Sequence, residues 1–106
     1  MADFMGLMKQ AAQLQSKMQA LQAELDTIEV EGTAGGGMVV VKLSAKGELK
    51  GVAIDDSLMQ SSEKEILEDL LVAAHAEARR KAESVLQEKM KAVTGGLPLP
   101  PGLGLG

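Results

Sequence analysis

The 106-residue chain lacks several residue types that particular chemistries require. It has no cysteine, which excludes disulfide frameworks, thiol nucleophiles and cysteine-ligated zinc or iron–sulfur sites. Its single histidine, His75, leaves no paired-histidine site, and its single aromatic residue, Phe4, excludes modules that stack several bases on aromatic side chains. Because no motif in the sequence assembles a nucleophile, base and oxyanion site, we predict a protein without enzymatic activity and without a cofactor.

Long apolar runs and an excess of positive charge are also missing. No run approaches the roughly 18 to 20 apolar residues that cross a bilayer, and the first ten residues lack the pattern of a secretory signal. We therefore expect a cytoplasmic protein whose partners include neither a membrane nor a small-molecule substrate. The 11 Lys and Arg against 15 Asp and Glu give a formal charge of −4, which excludes a uniformly basic protein that binds polyanions over its whole surface.

The first segment of the chain has a heptad pattern of apolar residues. From Phe4 to Ile28 the spacing alternates between three and four, and most other positions hold good helix formers, which predicts one helix over about residues 3–28. The apolar seam packs against another helix of the chain, against a second protomer, or against both along different turns. The seam consists of Phe4, Leu7, Ala11, Leu14, Met18, Leu21, Leu25 and Ile28.

Residues 28–55 change to a period of two and are rich in glycine and β-branched residues, which predicts three short strands in an antiparallel meander. The run Ala34–Gly37 and the pair Lys46-Gly47 fall between the strands as hairpin loops. The glycine run opens a strand and is not followed by Lys-Ser/Thr, so we interpret it as a turn and not as a phosphate-binding loop. The second strand, Met38–Leu43, is continuously apolar through Val41, which predicts cover on both faces.

A third segment begins with turn and capping residues and continues as a second long helix. We interpret Asp55-Asp56-Ser57 as a capped turn rather than as carboxylates for acid–base or magnesium chemistry. Ser62 and Glu65 have the spacing of a capping box, and apolar residues recur at helical spacing to about Val93. Gly95-Gly96 is then expected to end the helix.

These patterns predict an α+β fold of order α-β-β-β-α, with a three-stranded antiparallel meander between two long helices. We assign residues 1–96 to a single domain and residues 97–106 to a flexible tail rich in Pro, Gly and Leu. Three strands and two helices make a core too thin to cover both faces of the sheet, so we predict a homodimer. The expected interface residues are Leu14, Met18, Leu21, Val39, Val41 and Leu43.

Charges are segregated along the chain. Residues 23–31 and 61–77 are acidic, whereas residues 1–22 and 78–106 carry an excess of lysine and arginine. The order of elements places both acidic ends near the sheet and both basic ends away from it. This distribution either complements the dipole of the last helix or forms an electrostatic footprint for phosphates. The candidate DNA-binding residues are Lys9, Lys17, Arg79, Arg80, Lys81, Lys89 and Lys91.

Short runs along the whole chain carry a family resemblance. They are Leu7-Met8-Lys9-Gln10-Ala11, Glu29-Val30-Glu31-Gly32, Val39-Val40-Val41-Lys42-Leu43, Ile54-Asp55, Ser57-Leu58, the run from Glu65 to Ala74, Ala78-Arg79-Arg80-Lys81, Glu88-Lys89-Met90 and Leu99-Pro100-Pro101-Gly102. In this order and spacing they resemble the YbaB/EbfC family of bacterial nucleoid-associated proteins. Asp56 stands where relatives often have proline, and the tail lacks the basic or aromatic residues that some relatives carry.

The resemblance implies a homodimer whose strands join into one sheet, with helical arms that project like tweezers. It also implies binding of double-stranded DNA with little or loose sequence preference, in the nucleoid and cytoplasm, and a role in nucleoid organisation and gene regulation. It brings no catalytic residues. The alternative function is a protein-interaction adaptor or chaperone-like module that uses the heptad helix.

Overall fold

The computed structural model describes residues 3–94 and shows the predicted α+β order. Helix α1 spans Phe4–Thr27, and strands β1, β2 and β3 span Glu29–Ala34, Val39–Ser44 and Leu49–Ile54. Two 3-10 turns follow, and helix α2 spans Lys64–Thr94. The predicted helix end at Gly95-Gly96 and the predicted tail lie outside the described residues. No helix in the described range is long and apolar enough to span a bilayer.

The three strands form the predicted antiparallel meander in the order β1-β2-β3. Gly35, Gly36 and Gly37 have φ values of 65°, 69° and 95° in the first loop, and Gly47 has a φ of 96° in the second. Side chains with a Cβ rarely adopt these angles, which explains why glycine occupies both turns. The two hairpins are therefore as the sequence predicted.

Helix α2 covers one face of the sheet and forms the main core with it. Val39, Val41 and Leu43 alternate along β2 and are at most 2% exposed, packed with Ala74 and Ala78 of α2. On the other face of β2, Val40 is only half-buried and Lys42 is exposed. The prediction that β2 is covered on both faces is therefore wrong for the single chain, because one helix can cover only one face.

Gly32 of β1 sets how closely α2 approaches the sheet. It is buried, and a Cβ at this position would overlap the carbonyl oxygen of Ala74 and the backbone nitrogen of Ala78, and would lie 3.0 Å from the Ala78 Cα. The helix backbone therefore rests directly on the strand backbone. Gly32 has no side chain, and those of Ala74 and Ala78 are small, which allows the strand and helix backbones to approach this closely.

A smaller core joins the two helices beyond the sheet. Its members are Leu21, Leu25, Ala45, Met18, Ile28, Val85, Met90 and Val93. The chain enters the sheet through α1 and leaves it through α2, so the helices are antiparallel where they meet, and the Glu24–Lys89 ion pair shows which turns lie side by side. The last turns of α1 thus pack within the chain, which is one of the two uses predicted for the heptad seam.

The first half of α1 extends past the described end of α2. Thr94 lies five residues beyond Lys89, which is about 7 Å of helix, so α2 reaches only the level of Met18. All residues from 3 to 17 are exposed, including the seam residues Phe4 at 66% and Leu7 at 62%. This half of the seam has no partner within the described chain.

The start of α2 differs from the sequence prediction. Ser62 lies inside the 3-10 turn Ser61–Glu63, and α2 begins directly from that turn at Lys64. The predicted capping box is therefore wrong, because the preceding turn takes the place of a cap. The capping interpretation of Asp55 is confirmed, since its side chain accepts a hydrogen bond of 2.9 Å from the Ser57 N–H.

Candidate nucleic-acid interface

The basic residues predicted to contact DNA fall into two places rather than one. Lys9 and Lys17 lie on the exposed side of α1, and Lys89 and Lys91 lie on the part of α2 that accompanies it. Arg80 and Lys81 lie beside β1 instead, where the Lys81 Nζ donates to the Glu31 carbonyl oxygen, and Arg79 precedes them in the same turn of α2. The expectation that all the basic positions point away from the sheet is therefore wrong, because about the first half of α2 is used to cover the sheet.

Three of the cations already have carboxylate partners within the chain. Arg79 pairs with Glu83 at 3.4 Å and Lys81 pairs with Glu77 at 3.2 Å, each one helical turn apart. Lys89 pairs with Glu24 of α1. Exposed pairs of this kind contribute about 0–1 kcal/mol, so they can exchange for a phosphate, but each partner carboxylate reduces the local positive potential.

The other four cations have no such partner. Among residues 3–94, no carboxylate lies within ion-pair distance of them. They are Lys9, Lys17, Arg80 and Lys91. All four are exposed, so their charges face solvent and are available to an anionic ligand.

The helical arm, defined as residues 3–22 and 85–94, is basic even without Arg79, Arg80 and Lys81. It holds four lysines and two carboxylates. They are Lys9, Lys17, Lys89, Lys91, Asp3 and Glu88. The arm is therefore a weakly positive rod beside an acidic body, which is the form of charge segregation that the sequence predicted.

An open depression of about 520 Å³ lies between β1 and α2. Both signs of charge line it, with Arg80 and Lys81 facing Glu77 and Glu88. The Lys81 ammonium, and to a lesser degree the Thr33 N–H, hold the pKa of Glu77 below its ordinary value, so this carboxylate is ionised at neutral pH. The four lining charges sum to zero, so the depression as a whole does not attract an anion, and Arg80 is its cation without an ion pair among the described residues.

The structure buries most of the residues predicted at a dimer interface and leaves only two of them accessible. Val39, Val41 and Leu43 are buried in the core beneath α2, which leaves them no surface for a partner. Leu21 is 4% exposed within the small core between the helices. Only Leu14, 37% exposed, and the half-buried Met18 remain accessible.

Strand β3 offers an exposed apolar surface that the sequence prediction did not include. It is an outer strand, and Leu49 and Val52 are 61% and 43% exposed. Its place at the edge follows from the meander itself, since the third strand of a meander has a neighbour on one side only. The edge position of β3 could therefore have been predicted from the sequence.

Comparison with known proteins shows which family the chain matches. The profile of the YbaB/EbfC DNA-binding family matches residues 1–97. A nucleoid-associated protein of Rhodopseudomonas palustris is 70% identical over 106 residues, and one of a Bradyrhizobium species is 66% identical, each match spanning the whole of both chains.

A solved structure has the same fold. The crystal structure of an uncharacterized protein from Helicobacter pylori superposes with a TM-score of 0.79 at 26% identity, covering 88% of this chain and 98% of that one. The match of the family profile and of full-length relatives agrees with the fold and with the resemblance found in the sequence. The chain belongs to the YbaB/EbfC DNA-binding family, which includes nucleoid-associated proteins.

Proposed function

We propose that this protein is a non-enzymatic homodimer that binds the phosphate backbone of double-stranded DNA in the bacterial nucleoid, with little sequence preference. Membership of a DNA-binding family gives the ligand class. The observation that carries the mode of binding is the set of four exposed cations without ion-pair partners among residues 3–94, at Lys9, Lys17, Arg80 and Lys91. With one aromatic residue and a net charge of −4, the chain is suited to modest, salt-sensitive binding through phosphates rather than to base stacking.

The remaining basic positions have a secondary place in this proposal. Arg79, Lys81 and Lys89 reach DNA only by exchanging a carboxylate of the chain for a phosphate. Breaking the internal ion pair offsets part of the free energy gained from the phosphate, so each of these cations contributes less to DNA affinity than a cation without a partner. A contribution to nucleoid organisation and gene regulation follows from binding many sites loosely, and the domain that binds comprises residues 1–96.

Two features support a dimer whose sheet is continuous across the protomers. The outer edge of β3 carries exposed apolar side chains, and no element among residues 3–94 covers the open face of the sheet. A second β3 paired alongside would bury Val52 and extend the sheet to six strands, which is more stable than three. The exposed seam of α1, including Leu14, provides a second contact between protomers.

Salt titration of DNA affinity tests the proposal. The affinity for a duplex of arbitrary sequence is measured by fluorescence anisotropy between about 20 and 200 mM salt, and the slope reports about 0.9 per neutralised phosphate. Replacing Lys9, Lys17, Arg80 and Lys91 by Gln together is expected to reduce the slope by about 3 to 4 per protomer. A wild-type slope in that variant would refute the assignment of the contacts.

Neighbouring arginines provide a matched control. Arg80→Gln removes a cation without an internal partner, whereas Arg79→Gln removes one that is paired with Glu83. Both changes alter the net charge equally, so a larger loss of affinity for Arg80→Gln supports the proposal. Equal losses would show that only net charge matters, and the absence of any binding by the wild type at low salt would refute DNA binding through this surface.

The adaptor function stays as a second candidate because one end of α1 is apolar and exposed. Phe4, Met5, Leu7 and Met8 are 58–73% exposed, which is a surface that a partner protein's helix could cover. A purified dimer that fails to bind duplex at low salt, together with a defined protein partner whose binding is lost on Leu7→Gln, would favour this function over DNA binding.

A further inference from the structure

The two outer strands of the sheet expose backbone groups at defined positions. The Ala45 N–H donates to the Ile28 carbonyl at 2.9 Å, so alternate residues of β1 from Ile28 onward bond to β2. Glu31 and Thr33 therefore direct their backbone groups outward. On the other side, the Asp55 N–H donates to the Met38 carbonyl at 2.8 Å.

The same alternation on β3 leaves the backbone groups of Val52 and Ile54 directed away from β2. The sheet therefore has two rows of backbone donors and acceptors, one on β1 and one on β3. Such rows are templates for pairing with another chain.

Side chains of α2 occupy the outer row of β1. The Lys81 Nζ donates to the Glu31 carbonyl oxygen at 2.8 Å, a contact between residues 50 positions apart in sequence. The Thr33 N–H faces the Glu77 carboxylate, which lies 3.2 Å from the Lys81 Nζ. The Lys81–Glu77 pair thus occupies the Glu31 acceptor of the edge and places a carboxylate opposite the Thr33 donor.

The close approach of α2 at Gly32 puts this pair in place. Ala74 and Ala78 lie against Gly32, so the helix backbone is directly above β1. Glu77 and Lys81 are one helical turn apart on the side of α2 that faces the edge, with Glu on the N-terminal side, the better order for such a pair. The ion pair is exposed, but its position over the edge is fixed by the buried contact.

The outer row of β3 has no equivalent cover. Within residues 3–94, none of the hydrogen bonds outside the helices and strands reaches the backbone of Val52 or Ile54. The cation of this strand, Lys50, pairs with Glu48 of its own hairpin at 3.4 Å. The edge is left with exposed Val52 and no charged side chain of α2 bonded across it.

We propose that Lys81 and Glu77 close the β1 edge to strand addition, so that a second copy of this chain can extend the sheet only at β3. The inference rests on the dimer proposed above. Two protomers joined through β3 present two β1 edges, and if these were open each could accept a further copy and assembly would not stop. The pair therefore limits the assembly to two chains.

Methionine substitution of Lys81 tests this role in the full chain and without DNA. Lys81→Met removes the ammonium and keeps an apolar side chain of similar length, and Arg79→Met is the matched control because it breaks the i,i+4 pair with Glu83. Mass is measured by size-exclusion chromatography with light scattering over a range of concentrations, after circular dichroism has shown both variants to be folded.

The wild type and Arg79→Met are expected to have the mass of two chains at all concentrations. The mass of Lys81→Met is expected to rise with concentration, because the Glu31 carbonyl oxygen is then free to accept a hydrogen bond from a strand of another copy. Lys81→Arg, which restores a cation, is expected to return the mass to the wild-type value. Equal mass of Lys81→Met and Arg79→Met at every concentration would overturn the proposal.

The result separates this inference from the proposed dimer. A wild type with the mass of one chain would refute the β3 dimer. In that case the closure of β1 is still tested, because Lys81→Met would then form pairs that the wild type and Arg79→Met do not. If instead Lys81→Met only weakens DNA binding and its mass is unchanged, Lys81 acts as a phosphate contact and not on the edge.

Discussion

Gly32→Ala is the substitution for which the structure gives the sharpest expectation. The added methyl group would overlap backbone atoms of Ala74 and Ala78, and neither can rotate away as a side chain would. To restore ordinary contact distances, α2 must move away from β1 by about 1 Å. The movement loosens the packing of α2 on Val39 and Leu43 as well.

The size of the effect follows from that geometry. Overpacking a close contact costs typically 1–3 kcal/mol, and a contact between two backbones lies at the upper end, so we expect a loss of about 3 kcal/mol in the free energy of unfolding. This is a large part of the roughly 5–15 kcal/mol that a domain has. At about 4–8 °C per kcal/mol, the Tm falls by roughly 12–24 °C.

Gly51→Ala is the matched control for this prediction. Gly51 also lies in a strand, but the nearest neighbour of its added Cβ is the Lys42 Cδ at 4.0 Å, an ordinary contact. Its stability should stay within about 1 kcal/mol of the wild type, on the stabilising side. Both variants are unfolded thermally and in urea, followed by circular dichroism, at one protein concentration, because association would make the Tm depend on concentration. If Gly32→Ala is no less stable than Gly51→Ala, α2 does not rest on β1 as described.

Three further predictions concern single positions. Ser44→Ala should lower the free energy of unfolding by about 1–3 kcal/mol in urea titration, because the buried Oγ accepts two backbone N–H groups of the β2–β3 hairpin, each at 3.2 Å; a change below about 0.5 kcal/mol would contradict this. Gly6→Ala should increase the helical signal at 222 nm, since nothing lies within 4 Å of the added methyl group and alanine favours a helix by about 1 kcal/mol; an unchanged or lower signal would count against a helix at this end of α1. Hydrogen bonds from Ser57 lower the pKa of Asp55, so the wild type should lose stability as the pH falls below about 4. A plot of Tm against pH should be flatter for Asp55→Asn, because this variant has no carboxylate to protonate. Identical plots for the two proteins would refute the capping role of Asp55.

The order of secondary structure was predictable because each segment has a periodicity of its own. The heptad spacing from Phe4 to Ile28, the alternation and glycines of the meander, and the capping role of Asp55 are local signals, and the structure confirms all three. The capping box at Ser62 was wrong although the spacing was correct. Local spacing does not reveal that a 3-10 turn precedes the helix and occupies that position.

The candidate site was only partly predictable because it depends on which turns of α2 cover the sheet. Sequence alone divided the charges into acidic and basic segments, but it could not show that Arg80 and Lys81 lie beside β1 while Lys91 lies on the arm. The buried contact of Gly32 with Ala78 decides this. A glycine in a strand gives no indication of which residue, more than forty positions away, will rest on it.

The amino-acid sequence by itself determined the absence of thiol and paired-histidine chemistry, the α-β-β-β-α order, the charge segregation and the family, because composition, periodicity and motif order are properties of the chain alone. Only the tertiary structure decided which cations have a carboxylate partner and which strand of the sheet bonds to a side chain of α2. Those outcomes depend on contacts between residues distant in sequence, such as the bond from Lys81 to Glu31. A long-range contact of this kind is fixed by packing, and no local pattern encodes it.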